Sequence, residues 1–143
     1  MTLQRRPVGR GRWIATVSAI LIIVGCVLPW YRAGSSVGIT PVEVNAFQGA
    51  GILVFLAALA TLALVSLPFA MGDAPVAIDR WWAYALIAGI ATLGLMLRVV
   101  DTLSIDGGLG MMLPDRGPGT WVTAAGVIGL IFATAEIYGS RRA

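Results

Sequence analysis

Histidine and lysine are both absent from this 143-residue sequence, and cysteine occurs only once. Without histidine, no imidazole in the chain can ligate haem, chlorophyll, copper or zinc. One thiol, Cys26, permits no intramolecular disulfide. Charge is scarce as well: 12% of residues are charged, against roughly 25% in soluble domains. These shortages remove most redox and hydrolytic metal chemistry, and neither a metal nor a cofactor is expected.

Apolar residues fill the remainder. The chain is 58% hydrophobic with a mean hydropathy of +0.87. A soluble domain of this size could not hide so much apolar surface, so the expected partner of that surface is a lipid bilayer. The net charge of +3 would suggest nucleic acid in a soluble protein. Here all ten basic residues are arginine and gather at the ends of apolar runs. They read as topology signals, and no nucleic-acid partner is expected.

Four runs reach the ~20 residues that a spanning helix needs. They cover about 13–31, 46–70, 81–100 and 120–138, with outer loops at 32–45 and 101–119 and an inner loop at 71–80. The expected fold is all-α: one integral membrane domain over 1–143, an antiparallel up-down four-helix bundle. With a cytoplasmic N-terminus, the inner segments hold Arg5, Arg6, Arg10, Arg12, Arg80, Arg141 and Arg142. The outer loops hold only Arg32, Arg98 and Arg116. Seven against three favours both termini inside.

The aromatic residues fit that arrangement. Trp13, Trp81 and Trp82 fall at inner span ends, Trp30 and Trp121 at outer ends, and Tyr31, Tyr84 and Tyr138 near interfaces. Their rings pair an apolar body with one polar handle, which suits headgroup depth. In the first outer loop, Val37, Ile39, Val42 and Val44 alternate partly with polar residues. This predicts a short extended strand or hairpin, interrupted by Pro41. Asp79 is a candidate N-cap for the third span, and Pro118 with Thr120 reads as the start of the fourth.

Cys26 carries the sharpest ambiguity. Ile23-Val24-Gly25-Cys26 follows an arginine-rich tail and an apolar core, the pattern read by bacterial lipoprotein processing. Cleavage and lipidation at Cys26 would leave three spans. The favoured expectation is an uncleaved first span, because Val-Leu-Pro-Trp-Tyr continues the apolar run and the chain still carries Met1.

Ionisable groups near the spans are few. Glu136 lies inside the last span and is expected to form an interfacial ion pair with Arg141, Arg142 or Arg12. Arg98 and Asp101 stand three apart, where side chains on one helix face meet. Glu43, Asp101, Asp106 and Asp115 share the outer side, yet no spacing resembles a calcium loop. Asp106-Gly-Gly-Leu-Gly110 follows no strand and does not read as a phosphate loop.

Small residues recur every four positions: Ala125, Gly129 and Ala133 in the fourth span, Ala85 and Gly89 in the third, Ala15 and Ala19 in the first. Such stripes let helices approach closely where lipid removes the hydrophobic drive. They are expected to serve helix packing, within the bundle or against another subunit.

Leu28-Pro29-Trp30-Tyr31 closes the first span, Gly49 and Gly51 flank the start of the second, and Gly117-Pro118-Gly119-Thr120-Trp121 opens the last. In layout the whole chain resembles small four-span bacterial membrane proteins, a group without an assigned activity. That resemblance implies an inner (plasma) membrane location and brings no catalytic residue. No nucleophile–base pair or paired intramembrane carboxylates can be nominated, so no enzyme is expected. The expected function is that of a non-enzymatic structural or accessory subunit, packing against other membrane subunits or itself. The alternative is a small transport or channel component, built as a homo-oligomer with Ser18, Thr61, Thr92 or Thr123 on its axis.

Overall fold

The computed structural model describes residues 8–33, 38, 40–72, 81–105, 110 and 112–140. Arg5, Arg6, Val37, Ile39, the 73–80 loop with Asp79 and Arg80, the 106–109 segment, Arg141 and Arg142 lie outside the described residues. The elements run α1 (Arg10–Val27), β1 (Tyr31–Ala33), β2 (Val42–Val44), α2 (Gly51–Ala70), α3 (Trp81–Leu103) and α4 (Pro118–Gly139). All four helices are long and apolar enough to cross a membrane, with mean hydropathies of 1.6, 2.5, 1.9 and 1.6. Even the shortest, with 18 residues, spans about 27 Å at 1.5 Å per residue, close to the ~30 Å of a hydrocarbon core.

The helix limits follow from local chemistry. α1 stops before Pro29 because a proline ring pushes its predecessor out of helical geometry. Leu28 accordingly sits at φ −68° and ψ 153°. α1 is thus shifted from the expected 13–31, beginning at Arg10 and ending at Val27. α2 begins at Gly51 rather than Ala46, because residues 45–50 form a turn that includes Gly49 at φ +134°. α3 continues past Val100 to Leu103, and α4 opens on Pro118, whose missing N–H is no loss in a first turn. Inside the spans, hydroxyls bond back to the preceding turn. Thr61 Oγ1 donates to Ala57 O at 2.9 Å and Thr92 Oγ1 to Ala88 O at 2.7 Å, so neither needs a partner in an apolar medium.

Packing joins α1 to α2, α2 to α3 and α3 to α4, and closes the ring through α1 and α4, the most extensive pairing of all. The buried residues of that seam are Gly11, Ala15, Ser18, Ile22 and Gly25 on α1, facing Gly119, Thr123, Gly126, Leu130 and Ala133 on α4. Both series step by four and three, the seam spacing of coiled coils. It differs from the four-residue stripe expected from the sequence. Gly11 lies against Ile137 and Ala133, whereas Gly25 lies against Thr123 and Gly119, so the two helices run in opposite directions. At Gly126 a Cβ would sit 2.6 Å from Ile22 Cγ1 and 3.0 Å from both Ile22 N and Ser18 O. Only a residue without one permits this approach.

Above the seam lies a small cap. β1 and β2 pair antiparallel with Arg32 opposite Glu43, and these two form a 2.9 Å ion pair. Trp30 N donates to Val44 O at 2.7 Å and Gly119 N to Pro29 O at 3.0 Å, tying the α1 exit to both β2 and the start of α4. Trp30 is 1% exposed, its indole N–H donating to Gly25 O at 2.9 Å. It therefore sits inside the fold at the end of α1 rather than on the outer surface, and Tyr84 is equally buried. Trp13, Trp81, Trp82 and Trp121 are exposed.

Gly126→Leu is expected to destabilise the protein by about 1–3 kcal/mol or more, because the seam cannot admit the side chain. Gly89→Leu is the matched control: its Cβ would meet nothing within 4 Å, and no loss is expected, with leucine's better helix propensity adding up to about 1 kcal/mol. Thermal unfolding in detergent measures both, and an equal loss in the two variants would refute the assigned seam.

Candidate functional site

A bundle of four apolar helices has few places to keep a charge, and the structure buries one. Arg98, on the penultimate turns of α3, is only 4% exposed. Its Nη1 donates to Asp101 Oδ2 at 3.0 Å, so the pair that the sequence spacing suggests does form on one helix face. The two partners are unequal, however: the Asp101 side chain is 66% exposed and reaches solvent, while the guanidinium turns inward. Its Cζ lies 5.6 Å from the centroid of the Tyr31 ring on β1. From the 45–50 turn, Gly49 approaches so closely that a Cβ there would lie 2.9 Å from Nη1.

Arg98 thus holds three separate segments together: α3, the first strand and the turn before α2. Its Nε and Nη2 are fully buried and have no hydrogen-bond partner among the described residues. Arginine cannot shed its charge to relieve this. Each buried unpaired donor costs about 1–3 kcal/mol, so the group is unusual in a bundle whose helix hydroxyls are mostly satisfied.

The other candidate residues are distributed more widely. Glu136 has a side chain 46% exposed and meets Arg10 Nε at 3.7 Å. That partner differs from the expected ones: Arg141 and Arg142 lie outside the described residues, and α1 extends far enough to deliver Arg10. A pair this exposed is worth only about 0–1 kcal/mol. Cys26 is fully buried as a free thiol, within an α1 that continues unbroken to Val27. Among the described residues, no group of three Cys, Asp or Glu side chains could hold a metal.

The small-residue stripes divide. Ala15, Ala19 and Ala133 are completely buried, and Gly129 rests against the Ser18 hydroxyl. Ala125 and Gly89 instead face outward, and Ala85 is half-buried. Ala85 and Gly89 line an apolar groove of about 700 Å³ between α3 and α4, bounded by Trp81, Met96, Ile131 and Tyr138. Trp81 and Tyr138 meet edge to face at one end, with centroids 5.0 Å apart. Thr92 and Thr134 also line it, but each hydroxyl is bonded to its own helix, so the lining presents methyl groups.

Comparison with protein-family models, curated proteins and solved structures finds no match.

Gly49→Ala is expected to destabilise the cap by about 1–3 kcal/mol, since the residue needs φ +134° and abuts Arg98. Gly72→Ala, at φ +60° in open space, is expected to lose less, about 1 kcal/mol. Thermal melts of the two variants compare them directly, and a smaller loss at Gly49 would refute the cap geometry. Cys26 is expected to resist maleimide in folded protein and to react within minutes once unfolded. Intact mass then reads one adduct, and ready labelling before unfolding would contradict its burial.

Proposed function

We propose that the protein is a multi-pass component of the plasma membrane, with both termini cytoplasmic, that works by association rather than catalysis as an accessory subunit of a membrane complex. The observation that carries this reading is the placement of Gly89. The glycines of the α1–α4 seam are filled from within the fold, whereas Gly89 stands in an outward groove with nothing within 4 Å of its Cβ position. A small residue on an outer helix face lets another helix backbone approach, and close contact is what holds helices together in lipid. The occupant of that groove is therefore a spanning helix, from a partner subunit or a second copy of this chain.

The orientation rests on the seven-to-three arginine asymmetry and on the pairing of chain ends. Trp81, at the start of α3, stacks on Tyr138 near the end of α4, and Gly11 lies against Ile137. The start of α1, the start of α3 and the end of α4 thus share one end of the bundle, the end that the basic tails would hold inside. The transport reading loses ground by comparison. Ser18, Thr61 and Thr123 are 3%, 0% and 0% exposed, inside a single copy. They are turned away from any axis that several copies could share; Thr92 does line the outward groove, but its hydroxyl is bonded to Ala88 O.

The test is cysteine cross-linking in native membranes. A Cys26→Ala, Gly89→Cys chain is expected to form a disulfide-linked dimer or a defined adduct with a cysteine-bearing partner, and Gly89→Leu to abolish the complex seen by native mass spectrometry. A monomer in both measurements would end the association reading.

A further inference from the structure

Arg98 offers more than a clamp. Its Nη1 is taken by Asp101, and its Cζ lies over the Tyr31 ring. The two nitrogens left over, Nε and Nη2, are not scattered: together they make up one side edge of the guanidinium plane. Their parallel N–H groups are the fork that binds two oxygens of a carboxylate or phosphate at once. Both atoms are buried and without a partner among the described residues. The charge is permanent, and its one ion-pair partner among the described residues, Asp101, lies largely in solvent.

The geometry points to an oxyanion seat at the Nε–Nη2 edge of Arg98, taking a phosphate group. Depth favours phosphate. Arg98 lies five residues before the end of α3, about 7.5 Å along the axis, which for a spanning helix is close to headgroup level. Leu97 and Val100 beside it are exposed apolar residues, so lipid reaches the same height. A phospholipid headgroup and free inorganic phosphate share the required chemistry.

The seat is covered in this structure by the cap. Neither nitrogen touches solvent, and the segments against Arg98 are the three-residue β1 and the 45–50 turn. A two-stranded ribbon this short has little stability of its own. Entry of the anion therefore displaces part of the cap, and Trp30, buried within it, reports the event. The lipid source rests on the membrane reading above; the inorganic phosphate arm tests the seat without it.

The experiment uses the full chain in a maltoside detergent, which carries no phosphate. Phosphatidylglycerol, diacylglycerol with the same acyl chains, and sodium phosphate are titrated separately. Retained ligand is read by native mass spectrometry, and Trp emission and melting temperature are followed in parallel. Phosphatidylglycerol is expected to bind, shift the Trp30 signal and raise the melting temperature, while diacylglycerol does none of these. An equal response to sodium phosphate would assign the seat to the free ion; no response to it assigns the seat to the lipid. Arg98→Gln is expected to weaken binding about tenfold or more. Arg98→Lys, which keeps the charge but loses the fork, should do nearly the same if Arg98→Gln fails to fold. Asp101→Asn, at an exposed position, removes the competing carboxylate and is expected to tighten binding several-fold. Binding unchanged in Arg98→Lys and in Asp101→Asn, or equal retention of diacylglycerol, would overturn the assignment.

Discussion

The contact on which the remaining structure depends is the backbone approach of α1 to α4 through Gly25, Gly119 and Gly126. In lipid, apolar side chains gain little by leaving one apolar medium for another, so close packing has to hold the bundle. At Gly119 a Cβ would sit 2.6 Å from Leu28 O, 2.7 Å from Gly25 O and 2.7 Å from Trp30 Cδ1. The absence of that one atom lets the α1 exit, the α4 start and the Trp30 ring occupy the same space. From there Gly119 N reaches Pro29 O and Thr120 Oγ1 reaches Trp30 O at 3.2 Å. The position of the hairpin, and with it the cover over Arg98, follows from this contact.

The two ends of the bundle are built on different principles. At the end holding the cap, Gly25 O, which Pro29 cannot serve, accepts the Trp30 indole N–H, the start of α4 donates to Pro29 O and Trp30 O, a tryptophan is buried and a charge is enclosed. At the other end, Arg10 and Glu136 meet in the open and Trp81 and Tyr138 stack at the surface. An exposed ion pair tolerates substitution; a buried guanidinium with two free donors does not, because removing any neighbour leaves the charge less compensated.

Much of the fold was legible in the residues, and the reasons for the misses are physical. Four apolar runs and their proline and glycine boundaries give four helices, since length and hydropathy act on each run separately. The packing stripe was legible in part: Ala133 lies in the seam and Gly129 meets Ser18, but Ala125 is exposed and the full buried face follows Gly119-Thr123-Gly126-Leu130-Ala133. The 3.5-residue repeat was present in the chain, but threonine and leucine among the glycines concealed it from a search for small residues alone. The burial of Trp30 could not be read locally: besides the nearby Gly25 O it depends on Gly119, 89 positions away. The Arg98–Asp101 spacing could be read locally, but which of the two turns inward depends on Tyr31 and Gly49, distant segments that no local pattern brings in.

The same packing argument explains where the molecule is open. A 3.5-residue seam places a narrow strip of each helix inside, and only 33% of each span's window is buried. Among neighbouring helices, α3 and α4 meet least extensively. The inner strip of α3, from Tyr84 through Ala88, Ala91 and Arg98 to Thr102, turns Gly89 away from the bundle. Gly94, by contrast, faces α2, where a Cβ would lie 2.9 Å from Leu53 Cβ. Two glycines five residues apart on one helix therefore differ in surroundings: Gly94 admits a helix of the same chain, and Gly89 has nothing within 4 Å of its Cβ position. Glycine lowers helix stability relative to alanine by about 1 kcal/mol. The fold recovers that loss at Gly94 through contact with α2, and at Gly89 no contact among the described residues does so.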